Sequence, residues 1–315
     1  MKNEEKIKET IGKAAKGIGD AATAAAGKTG ELAAAAKEKI VDVVDVNGNG
    51  EIDLEDFIIL ALRTPGIRVD RAKFLQKQFE KNHPQSVIDD AIRHNPAHAG
   101  IDSAEIGKIA DEVIKYERNC VSGISAALGI PGGAAMVATV PADMVQYYGY
   151  MLRAAQELMY LYGFPEIDAT EREGVFDAET MNVLTLCLGV MYGVYQANVA
   201  LKAMAAALGR GVEKKLLAMA LTKGTFYPMV KSVLKWFNVN LTKKVFAGFF
   251  KKAVPVVGGV VGGGITYLSF KPCCDRLKAS LHDTLLSNPK HHTTEEERQM
   301  VDEMLAQDVE YVEMT

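Results

Sequence analysis

Residues 180–201 read TMNVLTLCLGVMYGVYQANVAL, 22 residues without a charge. Asn119–Ala142 carries no charge over 24 residues, and Ala253–Phe270 none over 18. None of these runs alternates apolar and polar residues as a half-buried strand does, and neither does the rest of the chain. The expected fold is therefore all-α, a multi-helix domain with long apolar helices. A helix needs about 20 apolar residues to cross a bilayer, so two readings stand: helices buried inside a large helical domain, or helices inserted in a membrane. Pro131-Gly132-Gly133 divides the first run. Asn182, Gln196 and Asn198 in the second need helix partners if they enter lipid. The third holds Pro255 and five glycines. These breaks weigh toward interior helices. Small residues at four-residue spacing (Gly189/Gly193, Gly258/Gly262, Gly259/Gly263) let helix backbones approach closely in either setting.

The chain has 315 residues, enough for one large domain or two ordinary ones. Mean hydropathy is +0.01 with 24% charged residues, because the uncharged runs sit among charged segments. Four cysteines show neither metal-ligand spacing nor a disulfide framework, which fits a reducing compartment. The segment Met1–Lys6 mixes acids and bases and leads into no apolar stretch of signal-peptide type.

One segment spells out a chemistry. Residues 45–56 read DVNGNGEIDLED, the spacing of an EF-hand-like calcium loop. Asp45, Asn47 and Asn49 stand at positions 1, 3 and 5, and Gly50 at position 6, where the loop must turn sharply. Glu51 at position 7 offers its carbonyl, Asp53 stands at position 9 and Asp56 at position 12. Oxygens on alternate residues of a tight loop suit a hard cation, Ca2+ or Mg2+. Asp56 is shorter than the usual bidentate glutamate, which weakens calcium and favours six-coordinate magnesium. Ile52 supplies the apolar anchor at position 8. The competing reading is an Asx-rich turn between two helices. No second loop accompanies it: Asp168–Glu179 has Arg172 and Glu173 where a ligand and a glycine are needed.

Three segments follow from this: residues 1–66 with an N-terminal amphipathic helix and the loop, a helical domain over 67–290, and an acidic tail over 291–315. Residues 3–41 read as an alanine-rich helix interrupted by glycines, with two readings: a solvated leader feeding the loop, which the low apolar content favours, or a helix that orders on a surface or partner. Further helices are expected at 54–63, stopped by Thr64-Pro65-Gly66, then at 69–81, 84–94 and 102–118.

The charge is unevenly spread. Between Glu213 and Asp275 there is no acid and there are ten lysines; from His291 onward there are eight acids and one arginine. Lys231, Lys235, Trp236, Lys243, Lys244, Lys251 and Lys252, in a stretch where Phe226, Tyr227, Phe237, Phe246, Phe249 and Phe250 interleave with the lysines, suit an anionic lipid surface; the competing reading is lysines on the outside of a helical domain. Arginine is absent from 211–275, which argues against nucleic acid. From Asp143 to Tyr160, polar residues recur at helical spacing (Asp143, Gln146, Tyr150, Arg153, Glu157, Tyr160). They form either a solvated face or the polar lining of an internal cavity. His94 and His98 have the spacing of a helical metal pair, but Pro96 between them spoils the shared face. Cys273-Cys274 reads as a buried inert pair, with redox chemistry as the alternative. No catalytic motif occurs.

The blocks Gly129–Asp143, Leu152–Gly163 and Ala253–Tyr267, with their Ile-Pro-Gly-Gly, Met-Tyr-Leu-Tyr-Gly and Val-Gly-Gly-Val-Val-Gly-Gly-Gly motifs, resemble the EcsC family of bacterial proteins, in order, over about residues 100–285. The resemblance implies an α-helical, membrane-associated protein without an agreed activity. It also implies an ABC exporter as a conceivable partner and a cytoplasmic site at the inner face of the bacterial membrane, peripheral or inserted. The calcium loop lies outside the matching region. The functional expectation is a non-enzymatic protein whose docking to an anionic membrane or a membrane protein is tuned by calcium. The alternatives are an enzyme acting on lipid or peptide at the membrane through Asp143, Arg153 and Glu157, and a soluble scaffold with a structural ion.

Overall fold

The computed structural model describes residues 44–128, 135–172, 174–251, 258–288 and 290–313. The described residues are nearly all helical. The expected helix over 3–41 lies outside them.

Two compact units form, each from three stretches of chain. The first draws on the spans Met1–Arg68, Tyr116–Leu152 and Lys235–Lys271, and the second on Val69–Lys115, Arg153–Leu234 and Pro272–Thr315.

In the first unit, helix α1 (Leu54–Arg63) begins at Asp53, which caps it. Leu54, Phe57, Ile58, Ala61 and Leu62 repeat at helical spacing and are all buried. Burying each of the larger ones is worth about 1.5–3 kcal/mol. Thr64-Pro65-Gly66 stops the helix as expected, with Gly66 at φ +88°. The unit also holds parts of α4 (Ser103–Leu128), α5 (Ala135–Leu161), α9 (Tyr227–Lys251) and α10 (Gly258–His282). Phe57 meets the Tyr148 ring at 5.6 Å, and Tyr147 meets Phe270 edge-on at 6.2 Å. Gln146 donates to the Val121 carbonyl, and Tyr147 Oη lies 3.1 Å from Ser269 Oγ.

The second unit holds α2 (Arg71–Phe79), α3 (Gln85–Arg93), α6 (Ala178–Met191), α7 (Tyr195–Gly209), α8 (Lys214–Thr222) and α11 (Glu295–Glu313), with the remaining parts of α4, α5, α9 and α10. α6 packs on α7 and α8, and α11 packs on α7; Val301 and Met304 of α11 are fully buried. The acidic stretch read as a tail is thus largely helix α11. A departure from the all-helical expectation is a small hairpin, β1 (Glu171–Arg172) antiparallel to β2 (Val175–Phe176).

The expected long apolar helices are not found: among the described residues, no helix is long and apolar enough to cross a membrane. The 22-residue run is two helices. α6 ends at Met191, and the Val194 N–H returns to the Gly189 carbonyl while the Gly193 N–H returns to that of Val190. This is a Schellman stop, with Gly193 at φ +79° where a side chain would be strained. Asn182 donates to the Leu221 carbonyl, and Asn198 accepts from Ser280, so both polar groups face neighbouring helices. In the 24-residue run, α4 ends at Leu128 and α5 starts at Ala135, on either side of Pro131-Gly132-Gly133. The third run contributes the start of α10, which continues through Lys271, Asp275 and Arg276. The pair Gly189/Gly193 splits likewise: Gly189 is a close-packing site, Gly193 is a turn.

Candidate functional site

The loop over 45–56 is tied together from its two ends. Asp45 Oδ1 accepts from the amides of Gly48 and Asn49, and Oδ2 from that of Gly50 at 2.7 Å. Asn47 Oδ1 accepts from the Asn49 amide and Asn49 Oδ1 from that of Glu51. Gly48 and Gly50 take φ values of +72° and +84°, so the sharp turn falls at position 6 as the spacing predicts. At the far end, Asp56 is fully buried. Its Oδ1 accepts from Val46 and Asn47, and its Oδ2 from Asp53. Ile52 is half-buried.

The donor set is entirely oxygen, as a hard dication requires. Every side-chain oxygen noted above already holds a backbone amide, so coordination would use second lone pairs. Burial raises the Asp56 carboxyl above the ordinary aspartate range, with the Asp53 charge adding to it and the amides of Asp53, Asn47 and Val46 opposing it. Burial, then Asp53 and Asp56, raises Glu55 likewise. Negative charge is concentrated where a cation would relieve it. The carboxylates are nonetheless spread. Among the described residues, ligand atoms of three His, Cys, Asp or Glu side chains come within 4.8 Å of one another at Asp90, His94 and His98, not in the loop.

That histidine cluster corrects the sequence expectation. Pro96 ends the helix, but the turn after it carries His98 back beside His94, their rings 4.4 Å apart. The one available signal was the spacing of Asp90, four and eight residues before the two histidines.

The described part of the polar face of α5 is mostly buried, with Arg153 half-buried, and none of it lines the cavity below. Gln146, Tyr150, Glu157 and Tyr160 are 2%, 5%, 5% and 0% exposed, so α5 is enclosed on this face too. Arg153 Nη2 pairs with Glu157 Oε1 at 3.2 Å. Tyr160 Oη accepts from the Ile167 amide, and burial pushes its phenol up to about 12. The Asp143 side chain lies outside the described residues. A cavity of about 170 Å³ in the second unit is lined instead by Met159, Phe164 and Met204 with Glu166, Asp168 and Glu179 among others.

In the basic stretch, Phe226 and Phe237 are fully buried, which removes them from any surface. Trp236 is half-buried, its ring edge-on to Phe237 at 5.0 Å. Lys231 and Lys235 are exposed, and the Lys231 ammonium sits 4.5 Å from the Tyr227 ring centre. Lys243, Lys244 and Lys251 belong to α9, but their side chains, like all of Lys252, lie outside the described residues.

None of the four cysteines is in a disulfide. Cys187, Cys273 and Cys274 are buried; burial pushes the Cys187 thiol up to about 12 and raises that of Cys273. Such thiols are poor nucleophiles.

No family model matches this chain, and comparison with curated proteins and with solved structures likewise yields no match.

Proposed function

We propose that this chain is a non-enzymatic, membrane-associated helical protein of EcsC type, whose docking is regulated by a divalent cation held in the loop over 45–56. The observation that carries the reading is the hydrogen-bonded backbone of the loop. Asp45 and Asp56 gather six backbone amides between them, with Gly50 in the turn at position 6 and oxygen-bearing residues at positions 1, 3, 5, 9 and 12. Calcium, or magnesium given the short Asp56, would draw Asp45, Asp53 and Asp56 inward, with Asn47, Asn49 and the Glu51 carbonyl completing the shell. Docking to anionic lipid, or to a membrane protein such as an ABC exporter, rests on the EcsC-like blocks and on Lys231 and Lys235, exposed in a stretch without acids.

The test is calorimetric titration of the full chain with calcium and then magnesium, alongside Asp45→Ala. It is followed by flotation with vesicles containing phosphatidylserine, with and without calcium. The reading expects one cation bound, lost in Asp45→Ala, and lipid binding that changes with calcium and weakens in salt. No cation bound at millimolar concentration reduces the loop to a turn.

The enzymatic alternative at Asp143, Arg153 and Glu157 has the burial of Glu157 in its favour. A pair at 3.2 Å on one enclosed helix also serves structure alone. Turnover lost in Glu157→Gln with the fold intact would favour catalysis.

A further inference from the structure

At the C-terminal end of α3, one carboxylate stands between two imidazoles. Asp90 and His94 lie one helical turn apart and share a face. Asp90 Oδ1 is 2.9 Å from His94 Nδ1, and Oδ2 is 3.2 Å from His98 Nδ1. His98 reaches this face because the chain recoils after α3. The His98 amide donates to Asn95 Oδ1 at 2.7 Å, the Ala99 amide to the Asn95 carbonyl, and the Ile101 amide to the Pro96 carbonyl. Pro96 starts the recoil that brings the two rings together.

The backbone beneath the cluster is fixed. Arg71 is 7% exposed, and its guanidinium donates to the carbonyls of Ala91, Ile92 and His94 at the end of α3, and to that of Phe164. The side chains above it are open to solvent, at 53% for His94, 59% for His98 and 29% for Asp90. An ion can therefore reach ligands whose backbone is already positioned.

We propose that Asp90, His94 and His98 form a binding site for a first-row transition-metal dication of the zinc, copper, nickel and cobalt class, with water in the remaining positions. The donor chemistry selects the ion. Two imidazole nitrogens and one carboxylate oxygen suit these borderline metals and suit calcium and magnesium poorly. Three protein ligands on an exposed rim leave coordination positions open. The metal would sit between the carboxylate oxygens and the two Nδ1 atoms, with each ring in the tautomer that carries its proton on Nε2. This site is separate in chemistry from the loop over 45–56, and its existence does not depend on that loop's.

The test uses the metal-free full chain and Zn2+ in competition with a chromophoric chelator, with Co2+ absorption as a second readout. The variants are His94→Ala, His98→Ala, the double variant and Asp90→Asn, with Asp45→Ala as the reference. One equivalent of Zn2+ is expected, with calcium unable to displace it. Each single variant should weaken it by more than about tenfold, the lower bound for losing even an outer-shell partner. The double variant should abolish the visible Co2+ bands, and Asp45→Ala should leave zinc affinity unchanged. Equal zinc affinity in the wild type and the double variant, or none tighter than millimolar, overturns the proposal. If a histidine variant melts differently without metal, the near-isosteric Asp90→Asn decides: unchanged affinity there also overturns it.

Discussion

Asp53 and Asp56 cap each other. Asp53 Oδ1 accepts from the Asp56 amide at 3.2 Å, while Asp56 Oδ2 accepts from the Asp53 amide at 2.9 Å. This is a capping box at the start of α1, written with two aspartates in place of serine and glutamate. The same two residues are positions 9 and 12 of the loop, so helix initiation and cation binding draw on one pair of carboxylates. Asp56→Glu satisfies both demands better, since glutamate is the usual residue at the third helical position and the usual bidentate ligand. It should tighten calcium by about tenfold or more and raise its preference over magnesium, because ligand number sets that balance. Asp56→Ala should instead leave three amides without their acceptor and cost about 2 kcal/mol without any cation. Denaturant titration and calorimetry of both variants measure the two effects separately.

Arg71 is the second joint. It stands at the start of α2 and serves carbonyls of α3 and the chain beyond α5 at once. Burial lowers its pKa from the ordinary value, yet a guanidinium stays charged. Arg71→Ala should cost more than about 3 kcal/mol, since bonds from a charged donor are each worth about 1.5–3 kcal/mol and Arg71 makes several. Arg71→Lys should recover little of it, because a point ammonium cannot span four carbonyls. Chemical denaturation of the two variants checks this, and a lysine variant as stable as wild type would refute the fork argument. Zinc affinity at Asp90, His94 and His98 should fall in parallel.

The contrast between these sites shows which features the sequence made legible. The ends of α1 follow from local chemistry, with Asp53 before it and Thr64-Pro65-Gly66 after it, and the expected span of 54–63 coincides with the observed one. The glycine turns of the loop are local in the same way. The division of residues 180–201 was missed because Tyr192 and Gly193 carry no charge, so a Schellman stop does not interrupt an uncharged run. α4 runs on to Leu128, beyond the expected 118, because a helix does not end where charge ends. The polar stripe on α5 has the right period but the wrong environment: whether Gln146 and Glu157 meet water depends on segments far away in the chain, such as Val121. Pro96 marks a break in the helical spacing, and the consequence of the break, a recoil, lies in the tertiary structure.

His291 should make stability depend on pH. Its Nδ1 lies 2.9 Å from Asp283 Oδ1 and its Nε2 3.1 Å from Glu297 Oε2. Glu297 in turn closes a capping box with Thr294 at the start of α11. Burial lowers the imidazole pKa, but the hydrogen bonds to Asp283 and Glu297 outweigh it, and the net shift is upward from 6.5. The folded chain therefore holds this proton more tightly than the unfolded one. The added stability is fully present below 6.5 and is lost as pH rises through the elevated folded value. Asp283 is shifted down, chiefly by the same bond, so its contribution disappears only in acid below its ordinary 3.8. The melting temperature of wild type should exceed that of His291→Gln most between about pH 5 and 6.5, with the gap narrowing toward pH 9. A gap independent of pH would mean that the ring acts by shape alone.

Two glycines in helices should respond to alanine with opposite signs. At Gly189 in α6, an added Cβ would stand 2.6 Å from Ala197 Cβ and 2.8 Å from Val233 Cγ2. Neither neighbour is a flexible chain end: one is the first atom of an alanine on α7, the other a branched side chain on α9. The helices would have to separate, so Gly189→Ala should destabilise by about 1–3 kcal/mol, the usual cost of overpacking. At Gly107 in α4, an added Cβ meets nothing within 4 Å. There alanine only restricts the unfolded chain and improves helix propensity, so Gly107→Ala should stabilise by about 0.4–1 kcal/mol. Denaturant midpoints of the two variants decide it. A neutral Gly189→Ala would mean that α6 and α7 do not approach as closely as Gly189 and Ala197 require.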